Sequence, residues 1–229
     1  MPSPRALLFD VFGTLVDWRS SVRDELAEVG SRTGVTAEWS AVADDWRRAY
    51  RPALDRARAA PGWRDLDALQ RKTLQEVLDR HGVVLPAAEQ EGLVQSWRRL
   101  RPWPDTRPGL ERLRTGPRTA TLSNGHVALL VDLARHGDLR FDAILSAELA
   151  GAYKPAPQVY LRAAELLAVQ PAELMLVAAH LFDLAGARGA GLRTAFVDRP
   201  LEHGEGSPTR SDPEADISVA SLLELAQRL

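Results

Sequence analysis

The chain has 229 residues, with 29 Lys or Arg against 31 Asp or Glu and a net charge of -2. That length holds one sizeable core domain, or a core plus an inserted one; the balanced charge, with no basic run, argues against nucleic acid or another polyanion as partner. There is no cysteine, which excludes disulfides, thiolate nucleophiles and zinc-thiolate sites and fits a reducing, cytoplasmic location.

The chain opens with an apolar segment that is too short to span a membrane and is broken by Asp10. No signal-peptide cleavage pattern precedes it, so no membrane association is expected. Leu7 to Phe9 read as a strand that ends on Asp10 and turns at once through Gly13-Thr14, placing one anion at the mouth of a sheet. From about residue 18 to residue 105 the pattern predicts helices only. Ser20 or Ser21 caps a helix with Val22, Leu26 and Val29 on one face, ended by Gly30. Thr36 opens a long helix carrying Trp39, Val42, Trp46 and Tyr50, with Pro52 as a candidate kink. After a Pro61-Gly62 turn, Leu66, Leu69, Leu74, Val77 and Leu78 mark a third helix, stopped by His81-Gly82; a fourth runs from about Ala87 through Leu93, Val94, Trp97 and Leu100. All six tryptophans fall between Trp18 and Trp103, so the aromatics of this insert pack a small core or line a cleft.

From Pro104 onward helices and strands alternate. A helix near Pro108 to Arg114 precedes a strand Arg118 to Leu122 and a helix His126 to His136. A strand Ala143 to Leu145, a helix Pro155 to Leu167, a strand Leu174 to Ala178, a helix Asp183 to Ala190 and a strand Arg193 to Val197 follow. The polar stretch Glu202 to Asp212 reads as a surface loop, and a helix Ala220 to Leu229 closes the chain. The alternation predicts an α/β fold with a Rossmann-like parallel sheet: core residues 1–17 and 104–229, with an inserted helical cap, residues 18–103.

Ligands of open parallel sheets bind beyond the carboxyl ends of the strands. Four polar clusters fall there: Asp10 and Thr14, Ser123-Asn124-Gly125, His180 to Asp183, and Lys154 in Tyr153-Lys154-Pro155. Lys154 is one of only two lysines in an arginine-rich chain. There is no G-x-S-x-G elbow, Walker loop, H-E-x-x-H or G-x-G-x-x-G after a strand.

In Phe9-Asp10-Val11-Phe12-Gly13-Thr14-Leu15, Leu122-Ser123-Asn124-Gly125, Tyr153-Lys154-Pro155 with Val159-Tyr160, and Asp183-Leu184-Ala185-Gly186-Ala187-Arg188, the chain resembles the haloacid dehalogenase superfamily. Within it the chain is similar to the (S)-2-haloacid dehalogenases. The resemblance implies a haloacid dehalogenase-like fold and a nucleophilic Asp10 that displaces halide from carbon to give an aspartyl ester, which water then cleaves. Lys154 would keep Asp10 ionised. Thr14, Ser123 and backbone N–H groups would hold the substrate carboxylate, although Ser and Thr here are also ordinary helix caps. Arg47 is the match for the halide-binding arginine, with Asn124 as second donor and Arg48 or Arg51 as alternatives. Phe12 and Phe182 wall the site or belong to the core, and Tyr160 matches an active-site tyrosine or simply packs. Asp183 would be a catalytic residue of the last loop, where polar neighbours in the family help position it and the hydrolytic water. Well-known members carry Ser and Asn where this chain has Ala178 and His180; His180, with an ordinary pKa near 6.5, either serves as a base for ester hydrolysis or satisfies a buried neighbour.

Phosphatases of the same superfamily carry, two places after the nucleophile, an aspartate that serves as acid and base. Phe12 stands there, and general acid catalysis is worth about 10² to 10⁴ in rate, which an alkoxide leaving group needs and a halide does not. The resemblance therefore favours metal-free, cofactor-free cleavage of a small halogenated carboxylate, with a homodimer as the assembly common among family members. A phosphatase acting on a small metabolite and a non-catalytic carboxylate-binding relative are the alternatives.

Overall fold

The structure is a computed structural model that describes residues 3–59, 62–205 and 211–229. Pro61 of the predicted turn and residues 206–210 of the predicted loop lie outside the described residues. In chain order the elements are β1 (Ala6–Phe9), β2 (Val16–Asp17), α1 (Trp18–Thr33), α2 (Trp39–Ala59), α3 (Leu66–Arg80), α4 (Ala87–Ser96) and β3 (Arg101–Pro102). Then come α5 (Thr106–Leu113), β4 (Arg118–Ser123), α6 (Val127–His136), β5 (Ala143–Ser146), α7 (Pro157–Leu167), β6 (Leu174–Ala178), α8 (Leu181–Gly189), β7 (Arg193–Val197), β8 (Ile217–Val219) and α9 (Leu222–Arg228).

Six strands form one parallel sheet in the order β5-β4-β1-β6-β7-β8. The expected α/β fold is present. β1 and β6 are unbroken apolar runs, buried at every residue, because helices cover both faces of such a sheet. The chain leaves β1 toward β4 and β5 on one side and returns to β6, β7 and β8 on the other. The loops after β1, β4 and β6 therefore diverge around one crevice, the usual place for a ligand.

The region between β2 and β3 departs from the reading in its details. Asp17, not Ser20 or Ser21, caps α1: its Oδ1 accepts from the Ser20 amide at 3.0 Å. Ser21 instead donates to the Asp17 carbonyl at 2.6 Å and accepts from the Arg101 amide at 3.0 Å. α1 runs through Gly30 to Thr33; Gly30 is small there because a Cβ would meet the Trp39 ring at 2.4 Å. α2 starts at Trp39 rather than Thr36 and continues past Pro52 to Ala59. The segment is also not purely helical. β3 pairs antiparallel with β2, Val16 opposite Pro102 and Asp17 opposite Arg101, tying the outgoing and returning chain together. The short β8, at the sheet edge beside β7, was not expected either.

One apolar cluster extends from the sheet residues Leu7, Phe9 and Val177 through Phe12 to Trp18, Trp46 and Trp97 of the helices. Trp46 and Trp97 meet edge to face at 5.6 Å, and the Trp46 indole donates to the Gln70 carbonyl at 3.2 Å. A second cluster on the other face includes Leu8, Leu176, Tyr160 and Phe196. Among the described residues no helix is long and apolar enough to cross a membrane.

Candidate active site

The amide of Asp10 donates to the Val177 carbonyl at 3.0 Å, which extends the β1–β6 ladder and fixes the carboxylate beyond the strand end. Gly13, at φ 87°, then turns the chain, a conformation costly for any residue with a Cβ. The turn brings back Thr14, whose hydroxyl donates to Asp10 Oδ2 at 2.7 Å and accepts from the Ala179 amide at 3.0 Å.

Two cations flank the carboxylate. Lys154 Nζ donates to Asp10 Oδ1 at 3.0 Å and also to Asp183 Oδ2. Its backbone amide donates to Asn124 Oδ1 at 2.7 Å, which links the loop after β4 to the loop before α7. Asp183 is completed by Tyr160, whose hydroxyl donates to Oδ1 at 2.6 Å. On the other side His180 Nδ1 lies 3.0 Å from Asp10 Oδ2, and its Nε2 lies 2.9 Å from Glu202 Oε1. Glu202 Oε1 also accepts from the Trp18 indole at 3.1 Å.

These contacts decide the charge states. Burial by itself raises a carboxyl pKa, but Lys154, His180 and Thr14 more than offset it and hold Asp10 far below the usual carboxylate range. Burial likewise opposes charge on Lys154, yet Asp10 and Asp183 keep its ammonium pKa above the ordinary value. Asp183, buried beside another carboxylate, is pushed up. For His180, burial lowers and the Glu202 and Asp10 carboxylates raise, and the balance lies at about 10. The resting imidazole is therefore a cation at neutral pH, not the free base that an ordinary pKa implied. Glu202, despite burial, is held at about 2 by His180, with Arg47 and His203 adding to the effect.

A cavity of about 730 Å³ opens over Asp10's neighbours, bounded by α2, Asn124, Lys154, His180, Phe182 and Glu202. The Arg47 guanidinium stands 5.3 Å from the Trp18 ring and 5.0 Å from the Tyr50 ring, while Arg51 lies 4.3 Å from the Phe182 ring. Of the alternatives for the halide position, Arg48 is paired with Asp45. Other predicted residues lie behind this cavity. Ser123 is buried, its oxygen accepting from the Gly125 amide at 3.3 Å; Tyr160 is buried and reaches the site only through Asp183. Phe12 turns away, edge to face with Trp97 at 5.7 Å, so it packs the core rather than facing the cavity, whereas Phe182 does line it.

Trp18 and Tyr50 show that aromatics of the helical segment line the cleft, one of the two alternatives open in the sequence, whereas sequence reasoning missed Glu202 as a cavity residue. Glu202 was placed on a surface loop, yet it is only 2% exposed. No local signal marks it: the segment around it is polar and turn-rich, and only the return of the chain after β7 puts its carboxylate against His180. Its near neighbour Arg199 braces the same junction, donating to the Thr14 carbonyl at 2.9 Å and to Asp105 at 2.8 Å.

The model of haloacid dehalogenase-like hydrolases matches residues 4–191. The chain belongs to that family. It is 32% identical to an (S)-2-haloacid dehalogenase of Xanthobacter autotrophicus, over 85% of this chain and 75% of that one. The solved L-2-haloacid dehalogenase PA0810 superposes with a TM-score of 0.94 at 45% identity, covering 99% of this chain and 98% of its own. An L-2-haloacid dehalogenase from Xanthobacter autotrophicus, solved with chloropropionic acid covalently bound, superposes with a TM-score of 0.83 at 26% identity, over 98% and 97% of the two chains. Among haloacid dehalogenase-like hydrolases, this chain is thus similar to proteins named for cleavage of 2-haloacids.

Proposed function

We propose that this hydrolase dehalogenates short 2-haloalkanoic acids through an aspartyl ester on Asp10, releasing halide and a 2-hydroxy acid, without a metal or cofactor. In this reading residues 1–17 and 104–229 are the core and residues 18–103 the cap. The observation that carries it is the state of Asp10: a carboxylate kept ionised by two cations that both line the cavity, followed two positions later by a phenylalanine turned into the core. A nucleophile is supplied, and the position two residues on holds no carboxylic acid to protonate a leaving group. That suits halide, a stable anion on departure, and handicaps an alkoxide. The covalently bound chloropropionic acid in a relative supports the same chemistry.

Asp10 attacks the carbon bearing the halogen in line and expels halide on the far side. Arg47, held on the Trp18 and Tyr50 rings, and Asn124 are the donors for the departing anion; fixed donors in a site with little water stabilise it without reorganisation. Backbone amides at the helix starts hold the substrate carboxylate, and Phe182 limits water access; Thr14 and Ser123, expected to share that task, are buried and instead hold Asp10 and the Gly125 turn. Lys154 and Asp183 fix Asp10, and His180 serves the hydrolysis of the ester by water.

Two measurements test this reading. Halide release from 2-chloropropionate should persist in EDTA; phosphate release from phosphomonoesters that depends on added metal would instead establish the phosphatase. A single turnover in heavy-oxygen water should place label in the Asp10 carboxylate, and label found only in the product would refute the ester.

A further inference from the structure

The reaction as described leaves one buried acid without a part. Glu202 sits behind His180, with Oε1 shared between His180 Nε2 at 2.9 Å and the Trp18 indole at 3.1 Å. Gly13 makes room for it, because a Cβ at that position would meet Glu202 Oε1 at 2.1 Å. His180 therefore bridges two carboxylates, Glu202 through Nε2 and Asp10 through Nδ1 at 3.0 Å. His180 also lines the cavity. Asp183 does not: it is fully buried, and its two oxygens are taken by Lys154 and Tyr160. Of Asp183 and His180, the imidazole is the one that water in the cavity reaches.

We infer that Glu202 is a positioning residue that holds His180 by Nε2 and so makes its Nδ1 the proton acceptor for ester hydrolysis, with esterification of Asp10 as the event that frees Nδ1. This rests on the aspartyl-ester reading above. In the resting protein both ring nitrogens carry protons, each directed at a carboxylate. Attack by Asp10 forms the C–O bond, breaks the C–halogen bond and converts the carboxylate beside Nδ1 into a neutral ester. The imidazolium thereby loses one of its two anionic partners, and its Nδ1 proton leaves to solvent. Water then adds to the Asp10 carbonyl carbon; one of its protons goes to Nδ1 and the other leaves with the hydroxy acid as the ester C–O bond breaks. Asp10 is again a carboxylate and His180 again an imidazolium. The cycle releases one proton and one halide per substrate, as hydrolysis of a carbon–halogen bond requires.

The charges around the ring are consistent with this cycle. Asp10 faces it from the end of β1, with Lys154 on the far side of that carboxylate. Glu202 faces it from the loop after β7, and Arg47 of α2 and His203 act on Glu202 rather than on the ring. From α8 the neutral Phe182 ring lies near, at 5.7 Å, while the Asp183 carboxylate is taken by Lys154 and Tyr160. With Asp10 esterified, Glu202 is the remaining anion on His180; it keeps the Nε2 proton in place and so selects the tautomer with Nδ1 free, as a carboxylate behind a histidine does.

The test is rapid-mixing kinetics with 2-chloropropionate, following halide release and the mass of the intact protein. Glu202→Gln should still release one halide per chain and then stall, with the steady-state rate down on the order of 10²-fold, the lower end for general base catalysis, and with the mass of the ester accumulating. The pH dependence of ester hydrolysis should move to lower pH in that variant, because His180 has lost an anionic neighbour; Glu202→Asp should recover part of the rate and of the profile. A merely structural role would slow both halves together and leave the profile in place, and that result overturns the inference. So does a Glu202→Gln protein that turns over like the wild type. A wild-type protein that never releases halide would sink the ester reading itself, which separates the two failures.

Discussion

The two flanks of Asp10 are built alike in charge and differently in access. On one, Lys154 is clamped between Asp10 and Asp183, with Tyr160 closing the far side, and the lysine side chain is only 3% exposed. On the other, His180 is held between Asp10 and Glu202 and is more open, its side chain 13% exposed. A lysine in a closed acid pair keeps its proton through the reaction and acts as a fixed charge. A histidine between two acids is held as a cation most firmly while both are anions, and in the inference above its charge follows the state of Asp10. Asp10 is thus activated by one permanent and one exchangeable cation.

Removing the anion they share has the largest effect. Asp10→Asn should abolish halide release by roughly 10⁵-fold or more, the scale seen when a nucleophile is lost, with circular dichroism unchanged; measurable turnover would take Asp10 out of the chemistry. Breaking the closed flank comes next. Lys154→Met leaves Asp10 and Asp183 buried without their cation, and unpairing a buried charge costs about 3–5 kcal/mol. Urea unfolding should show that loss together with loss of activity, while a stability within 1 kcal/mol of wild type, taking about 1 kcal/mol as the scale of one hydrogen bond, would mean the clamp is not a charge pair. Disturbing the open flank costs less. Gly13→Ala sets a Cβ at φ 87° against the Glu202 carboxylate, and strain of that kind is worth about 1–3 kcal/mol; thermal melting should report it, and the ester-hydrolysis step should suffer more than halide release.

The effect that leaves the reaction itself untouched is on stability against pH. The His180 pKa rises from 6.5 to about 10 in the folded protein, so its contribution is complete below pH 6.5 and is lost as pH rises toward 10. Glu202 falls from 4.5 to about 2, so its contribution is complete above pH 4.5 and is lost as pH falls toward 2. These two groups together favour a plateau between pH 4.5 and 6.5. His180→Gln should flatten the alkaline limb of the melting-temperature profile, and an unchanged limb would place the imidazole outside this ion-pair chain.

Much of this was legible in the sequence because the signals are local. β6 and β7 run over the residues predicted, since a buried parallel strand is an apolar run that needs no partner to be recognised. Asp10, Asn124, Lys154 and His180 could be placed at one mouth because each stands at a strand end or loop in an α/β alternation. What failed were features made by two distant segments. Gly30 reads as a helix stop but is an interior position kept small by the Trp39 ring. Arg101–Pro102 carries no strand signal of its own and pairs only because Val16 and Asp17 lie beside it.

By itself, then, the amino-acid sequence determined the α/β alternation and the anion at the end of β1, because periodicity and strand-end chemistry are properties of neighbouring residues, while the lysine that meets this anion was implied by the family resemblance. Only the tertiary structure decided that Phe12 turns inward, that Asp183 lies behind the cavity and that Glu202 returns from a polar loop to grip His180. The charge on that histidine depends on carboxylates 170 and 22 residues away along the chain, and proton affinity is set by distance in space, which no local pattern encodes.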